Sequence, residues 1–283
     1  MRNFEKPSRS VVVAREAMAA TSHPSATLTA IRIMAAGGNA MDAAIAACAV
    51  QCVVEPGSTG IGGDCFALLS SKGSGDILAF NGSGRTPAAL TLDWFLERGM
   101  KEVERRSPGA VTIPGAVDAW TRLHADHGRL PFEQVLAPAI RFAEEGYAIS
   151  PRVHRDWSLE QDLLSRDPTA ARIFLPDGRA PQVGEVHRQP ELAATLRLIA
   201  EKGRDAFYTG PVAEDMVEYL RGMGGVHTLE DFAAAGGDYV TPIKSAFRGY
   251  DICECPPNGQ GVIALMILNI LSRFEAKGDP QSA

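Results

Sequence analysis

Four glycines fall within twelve residues in the stretch EPGSTGIGGDCF (Glu55–Phe66), which joins two apolar runs. A phosphate-binding P-loop would need a lysine and a hydroxyl residue after its second glycine, but Gly63 and Asp64 stand there. A dinucleotide-binding fingerprint would need a third glycine where Cys65 stands, followed by a helix rather than by an apolar strand. An aspartate in the loop would also repel a phosphate. We therefore expect this glycine loop (residues 55–64) to serve close backbone packing or to form an active-site wall, where a Cβ would clash.

Two helices are predicted before the glycine loop. Within PSATLTAIRIMAAGGNA, Pro24 suits a first helical turn, the apolar Leu28 and Ile31 share one face with Ala35, and a Gly-Gly pair ends the helix. Asn39 is suited to cap the second helix, AMDAAIAACAVQCVV, whose alanines occur on nearly every face. We expect this second helix to be buried on several sides.

Apolar alternation predicts strands at three places. The run SVVVARE near the start reads as a short strand, and CFALLSS and DILAFNGSG read as a hairpin joined by KGSG. The stretch YVTPIKSAFRGYDICECPP reads as strand again. Between these sheet segments, residues of about 115–225 are predicted to be mostly helical, with Pro138 interrupting one helix and RDPTAARIFLPDGRAPQVGE forming a loop. An apolar final helix, GQGVIALMILNILSRFE, follows, and residues 1–283 are expected to form a single domain of α+β class.

Charge and cysteine usage exclude several classes of function. The net charge of −6, from 28 basic and 34 acidic residues, gives no electrostatic reason to expect nucleic acid or an anionic membrane surface as a partner. The first ten residues lack the apolar core of a secretory signal, so a cytoplasmic protein is expected. The five cysteines lack the spacing of a disulfide framework or a zinc site, so they are interpreted as small buried hydrophobes. No metal and no cofactor are predicted.

Three short motifs are candidates for parts of a functional site. In TSHPS, Ser22 and His23 precede a helix start, and adjacent residues seldom orient for proton transfer, so they are interpreted as helix-initiating residues. In FNGSGRTPA, Arg85 follows a buried strand and its guanidinium could hold a substrate carboxylate, although a structural ion pair at a turn is an equal alternative. In CPPNGQG, the helix start could receive an anion or could form a rigid corner.

Taken together, long stretches of the chain resemble the γ-glutamyltransferase family of the N-terminal nucleophile hydrolases. The resemblance rests on HPSATLTAIRIMAAGGNAMDAAIAACAVQCVVEPGSTGIGGDCFALL, VTIPGAVDAWTRLHADHGRLPFEQVLAPAIRFAEEGYAIS, GGVHTLEDFAA and YDICECPPNGQGVIALMILNIL, in the family's order. It implies a four-layer αββα sandwich. It also implies that the glycine loop packs at the sheet and binds no nucleotide.

The resemblance further implies a precursor that cleaves itself before a threonine, whose freed α-amine becomes the general base for its own hydroxyl. No threonine follows Gln260 in this chain, so the chain is expected to be most of a large subunit, without catalytic residues and inactive alone. The implied partner is a C-terminal small subunit that carries the threonine nucleophile. The implied activity is hydrolysis or acyl transfer on an amide.

One departure from the family pattern bears on the substrate. The family holds the donor's α-carboxylate with an arginine, and alignment through Pro87 puts Ser83 at that position and moves the arginine to Arg85. Along a strand such a shift displaces the charge by roughly 6 to 7 Å. Ser83 and Arg85 are therefore the predicted substrate-binding residues. The expected substrate is a γ-glutamyl amide or another small carboxylated amide.

Two other classes of function compete with this one. A noncatalytic binding subunit of the same fold would be folded and soluble alone, and the stretch GVIALMILNIL argues against it because this stretch needs a large apolar partner surface. A nucleotide-binding enzyme would need phosphate affinity from the glycine loop, which its spacing does not support.

Overall fold

The computed structural model describes residues 12–70 and 73–275 of the chain. These residues fall into two compact units. The first, which we call the sheet unit, contains residues 12–18, 66–70, 73–81 and 238–275. The second, which we call the helical unit, contains residues 19–65 and 82–237. Helices and sheets both occur, which confirms the α+β class.

The helical unit is built from helices and one short two-stranded sheet. Its helices, in chain order, are α1 (Pro24–Ala35), α2 (Ala40–Val54), α3 (Leu92–Leu96), α4 (Ala116–His127), α5 (Phe132–Glu145), α6 (Pro151–Leu159), α7 (Gln161–Leu164), α8 (Pro168–Phe174), α9 (Pro190–Lys202), α10 (Asp205–Tyr208), α11 (Pro211–Gly222) and α12 (Leu229–Ala233). The antiparallel strands of this sheet are β3 (Tyr147–Ala148) and β4 (Val186–His187), and α6, α7 and α8 lie between them in sequence.

Capping residues set the boundaries of α1 and α2 as the sequence predicts. Pro24 occupies the first turn of α1, and Gly37, at φ 97°, follows its last turn in a conformation that favours glycine. Asn39 caps α2 through its side chain, which accepts the Asp42 backbone N–H, while the Asp42 carboxylate accepts the Asn39 N–H. This reciprocal pair is a capping box, so the start of α2 is doubly fixed.

The packing of α1 differs from the pattern of its large apolar residues. Its buried residues are Ala26, Thr29, Ala30 and Ile33, and the face that carries Leu28 and Ile31 is exposed. Small side chains on the buried face allow α1 to lie close to α2, its main neighbour. Ten of the fifteen residues of α2 are buried, which confirms that this helix is covered on several sides.

Two predictions within the helical region are wrong. Pro138 does not interrupt its helix, because α5 runs through it from Phe132 to Glu145 and buries Val135, Leu136, Ala139 and Ala143 against α2 and α9. Tertiary packing along this face outweighs the local cost of the proline. The stretch after Arg166, expected to be a loop, contains α8, because Asp167 caps it by accepting the Ala170 N–H at 2.7 Å.

The sheet unit contains two small sheets and one helix. Its elements are β1 (Cys65–Leu69), β2 (Leu78–Gly82), β5 (Asp238–Val240), β6 (Ile243–Phe247), β7 (Tyr250–Glu254) and α13 (Gly261–Leu271). One sheet has the order β1-β2-β5, with β2 antiparallel to β5, and the other is the antiparallel hairpin β6-β7. Arg248 and Gly249, at φ 49° and 87°, form the tight turn of that hairpin, and α13 packs on it.

The run SVVVARE contains no strand in its described part, from Val12 to Glu16, where Val12 and Val13 are exposed. Residues 1–11, 71–72 and 276–283 lie outside the described residues, and with them the N-terminal segment, part of the predicted KGSG turn and the polar end of the chain. Within residues 12–70 and 73–275, none of the helices combines the length and the apolar character needed to cross a membrane. The single-domain assignment stays a prediction.

Candidate functional site

Three backbone segments of the helical unit meet at the carboxyl end of the glycine loop. The Gly63 carbonyl accepts the N–H groups of Gly115 and Ala116, at 3.0 and 2.9 Å. Oδ1 of Asp64 accepts the N–H of Gly84 at 3.0 Å. Residues 63–64, 84–85 and 113–116 are thus joined by main-chain hydrogen bonds and by the Asp64 side chain into one junction, which we call the glycine junction.

Glycine is required in this junction at two positions outside the loop itself. A Cβ on Gly84 would lie 1.5 Å from the Ile113 carbonyl oxygen, and a Cβ on Gly115 would lie 2.0 Å from the Gly82 carbonyl oxygen. Real Cβ atoms do not approach backbone oxygens this closely, so at each crossing the two backbone segments can approach only where the residue is glycine. The requirement is a matter of space, since neither glycine has a positive φ.

The loop's own glycines do not follow the expectation that a Cβ would clash. A Cβ on Gly57, Gly60 or Gly62 would meet nothing within 4 Å, and one on Gly63 would lie 3.3 Å from the Gly60 carbonyl oxygen. The prediction of tight packing is therefore correct for the partners that cross the loop's carboxyl end and wrong for the middle of the loop.

Of the two predicted substrate-binding residues, Arg85 belongs to this junction and Ser83 lies directly before it, just beyond β2. The Arg85 carbonyl accepts the Ile113 N–H at 2.9 Å, which fixes the arginine's main chain. Its side chain is exposed, and among the described residues no carboxylate lies within ion-pair distance of its guanidinium. Ser83 is half-buried. Because β2 ends at Gly82, the alternation of a strand does not extend to Ser83 and Arg85. The structure thus holds the Arg85 backbone and leaves its charge accessible.

The amino end of the glycine loop is fixed by the side chain of Glu55. This buried carboxylate accepts the Ser22 hydroxyl at 2.5 Å and the Gln51 amide at 3.3 Å. The Glu55 carbonyl accepts the N–H of Ser58 at 2.9 Å. Sequence reasoning missed this role of Glu55, although an acid at the end of an alanine-rich helix was a visible signal.

His23 initiates α1, as predicted. Its ring accepts the Ser25 N–H at 3.2 Å as the N-cap. Burial lowers the pKa of His23, and the negative charge of Glu55 opposes that shift. Ser22 directs its hydroxyl to Glu55, so the two neighbours serve different contacts.

A second set of buried groups, not found from the sequence, supports the start of α4 beside the junction. The Tyr208 hydroxyl donates to the Pro114 carbonyl at 2.7 Å and accepts the Asp118 N–H at 3.1 Å. The Asp118 carboxylate in turn accepts Arg204 Nε at 2.7 Å and the Gly237 N–H at 2.8 Å. Burial raises the pKa of Tyr208, so its hydroxyl keeps its proton and can donate. These bonds position the segment that crosses Gly84.

In the sheet unit, the CPPNGQG segment contacts β2 and β7. Asn258 Oδ1 accepts Asn81 Nδ2 at 3.0 Å, and a Cβ on Gly261 would lie 2.7 Å from the Glu254 Cβ. The Glu254 carboxylate lies 2.9 Å from that same Cβ position, beside the first turn of α13. A protein carboxylate therefore already lies at this helix start, which disfavours an anion there.

The cysteines follow the buried interpretation only in part. Cys52 and Cys255 are buried, Cys65 and Cys253 are intermediate, and Cys48 is exposed. Burial raises the pKa of Cys52 to about 12, so this thiol stays protonated. Over residues 12–70 and 73–275, no group of three or more His, Cys, Asp or Glu side chains is arranged to hold a metal ion.

Comparisons with known proteins agree on one family. A family model described as gamma-glutamyltranspeptidase matches residues 26–283. The chain is 39% identical over 265 residues to the glutathione hydrolase-like YwrD proenzyme of Bacillus subtilis (strain 168), an alignment that covers 93% of this chain and 50% of that protein. The chain thus spans about half the length of the curated relatives it matches.

Two solved structures share the fold over nearly the whole chain. Helicobacter pylori gamma-glutamyltranspeptidase superposes with a TM-score of 0.89 at 28% identity, covering 97% of this chain and 80% of that one. Cephalosporin acylase from Bacillus halodurans superposes with a TM-score of 0.87 at 40% identity, covering 98% of this chain and 54% of that one.

Proposed function

The chain belongs to the gamma-glutamyltranspeptidase family, and on this premise we propose that it is the large-subunit portion of an amide hydrolase or acyl transferase. The fold is that of the N-terminal nucleophile hydrolases in this family. The proposal concerns the whole protein, because the chain spans about half of its relatives. The Bacillus subtilis relative is named as a proenzyme.

The nucleophile in this proposal is a threonine in a segment that follows the present chain. Self-cleavage before that threonine would free its α-amine to act as the general base for the threonine hydroxyl. A nitrogen that is part of a peptide bond cannot act as this base. The chain alone would then bind and position substrate without turning it over. No catalytic residue is assigned within it.

The partner in this proposal is the C-terminal small subunit. An exposed apolar surface on α13 supports this proposal, since Ile263, Met266, Ile267, Ile270 and Leu271 are each about half exposed or more. Leu265 is the one residue of α13 that is buried within the described chain. Isolated soluble proteins rarely leave such a continuous apolar face uncovered.

The substrate in this proposal is an amide that carries a carboxylate, either a γ-glutamyl amide or another small carboxylated amide. The observation that carries it is the exposed Arg85 guanidinium on a main chain fixed at the glycine junction. A guanidinium held in this way can bind a carboxylate through two parallel hydrogen bonds. The relatives' names, a glutathione hydrolase-like protein and a cephalosporin acylase, support both alternatives.

The test is expression of the full-length protein, followed by intact-mass measurement and an amidase assay. We expect two fragments and release of p-nitroaniline from γ-glutamyl-p-nitroanilide or from glutaryl-p-nitroanilide, which lacks the α-amine. The ratio of kcat/KM for the two amides identifies the substrate class. A single intact chain with no activity on either would instead support the alternative, a noncatalytic binding subunit of the same fold. Cell fractionation tests the predicted cytoplasmic location.

A further inference from the structure

A cavity lies in the helical unit, and its lining residues include none from segments 82–85 and 113–116. It has a volume of about 290 Å³ and is bounded by the loop that carries Arg105 and Arg106, by α6, α7 and α8, and by Pro56 and Gly57 of the glycine loop. This volume lies at the lower end of the range for small-molecule sites. The cavity is therefore large enough for a compact organic ligand.

The apolar wall of this cavity is aromatic and rigid. Trp157 of α6 is 5% exposed, and its ring meets those of Phe174 and His187 edge-on, at centroid distances of 5.7 and 4.9 Å. Leu163 and Leu164 of α7 complete the apolar lining. Aromatic rings held in this way favour a flat or branched apolar group, because little side-chain entropy is lost on binding.

The charged rim of the cavity consists of two arginines and two carboxylates and has no net charge. Its two carboxylates are already paired, Glu160 with Arg106 at 2.9 Å and Asp156 with Arg152 at 2.5 Å. Arg105 also lines the cavity, and within the described ranges no carboxylate lies in ion-pair distance of it. The guanidinium of Arg105 is thus the charge that is available to a ligand.

A buried donor lies behind the same wall. The indole N–H of Trp157 has no hydrogen-bond acceptor among the residues that the structure describes. Buried polar groups normally have a partner from the protein, water or a ligand. Because this nitrogen has almost no solvent-accessible surface, a ligand would reach the indole N–H only by displacing a neighbouring side chain.

We propose that this cavity binds a small organic anion with an aromatic or branched aliphatic body, with the body on Trp157, Phe174 and Leu164 and the anionic group on Arg105. The proposal goes beyond the amidase function, since no residue of the glycine junction lines the cavity. Its ligand class follows from one accessible cation beside a rigid apolar wall.

The test uses calorimetric titration of the full-length protein with phenylacetate and with phenylacetamide, its neutral isostere. The variants are Arg105→Gln, Leu164→Trp and, as a matched control, Arg221→Gln, which removes an exposed arginine on α11. All are titrated in an Arg85→Gln background, so that a carboxylate held at the glycine junction does not contribute.

We expect phenylacetate to bind the background protein and the Arg221→Gln control equally. Arg105→Gln should weaken phenylacetate binding about tenfold, phenylacetamide should bind about tenfold more weakly than phenylacetate, and Leu164→Trp should abolish binding by filling the cavity. No binding of phenylacetate, or equal binding by Arg105→Gln, would overturn the proposal. If the melting temperature of Leu164→Trp is more than a few degrees below that of the background protein, the proposal is judged from the titrations of Arg105→Gln and of phenylacetamide alone.

Discussion

The backbone N–H of Gly84 donates to Oδ1 of Asp64 at 3.0 Å, across twenty residues of sequence. This bond joins the end of a strand to the end of the glycine loop, and it lies beside the point where the Ile113 carbonyl crosses Gly84. One acidic side chain thus fixes the segment from which Arg85 projects.

Gly84→Ala should destabilise the protein by at least about 3 kcal/mol. The new Cβ would lie 1.5 Å from the Ile113 carbonyl oxygen, so the backbone segments around Gly84 and Ile113 would both have to move. Urea unfolding of the full-length protein measures this. Gly60→Ala is the matched control, because its Cβ meets nothing within 4 Å, and it should change stability by less than about 0.5 kcal/mol. Equal stability of the two variants would show that the crossing at Gly84 is looser than described.

Arg85→Gln should lower kcat/KM for a carboxylated amide about a hundredfold, since the charge that would bind the carboxylate is lost. The melting temperature should change by less than about 2 °C, because the side chain is exposed. Steady-state kinetics and thermal melts check the two expectations. Unchanged kinetics, or the same loss in Arg221→Gln, would remove Arg85 from the site.

Asp42→Ala should cost about 3 kcal/mol of stability. The Asp42 carboxylate is fully buried and accepts the N–H groups of Asn39, Arg129 and Leu130, at 2.9, 3.0 and 3.3 Å. Its removal leaves these donors without their acceptor. Chemical denaturation measures the change. Asp215→Ala, on the exposed face of α11, is the control and should lie within about 0.5 kcal/mol of wild type.

The stability of the protein should fall as pH drops from about 6.5 to about 4, in part through His187. Burial lowers the pKa of His187 to about 4, below its ordinary value of 6.5. Between these values the unfolded state binds more protons, so this contribution is complete above pH 6.5 and is lost as pH falls, with a slope of at most about 1.4 kcal/mol per pH unit.

Urea unfolding at pH 7 and pH 5 of wild type and His187→Phe isolates this contribution, since the variant keeps a ring in the cluster with Trp157 and Phe174. The other titrating groups, His23 included, remain in both proteins and cancel in the difference. A pH dependence that is the same in both proteins would mean that His187 is protonated equally in the folded and unfolded states.

Residues 1–283 expressed alone should bind a hydrophobic dye and melt over a broad temperature range, because α13 exposes its apolar face. The full-length protein is the reference and should melt sharply with little dye fluorescence. A cooperative melt of a monomeric chain without dye binding would show that α13 needs no partner to be stable.

Local sequence was enough to place the two helices at the start of the chain and the final helix, and to mark residues of about 115–225 as mostly helical. His23, Pro24 and Asn39 act within one helical turn, so their effect can be read from neighbouring residues. Pro138 was misjudged for the opposite reason, since the contacts that keep α5 intact come from α2 and α9.

The site was less predictable from the sequence than the helices. Arg85 could be selected because a guanidinium at the end of an apolar strand can hold a substrate carboxylate. The need for glycine at positions 84 and 115 instead depends on segments that are distant in sequence. The roles of Asp64, Glu55 and Tyr208 depend on the same long-range contacts. Spacing rules excluded a phosphate from the glycine loop, yet they gave no information on which of its neighbours would cross it.

The glycine loop is held at its two ends, by Glu55 on one side and by Gly63 and Asp64 on the other. Pro56 and Gly57 line the cavity that contains Arg105, and Gly63 and Asp64 belong to the glycine junction. The cavity and the junction are therefore connected through the glycine loop. Two ligands that each act on such a segment obey thermodynamic reciprocity. If an anion in the cavity changes the affinity for substrate by some factor, substrate must change the affinity for the anion by the same factor.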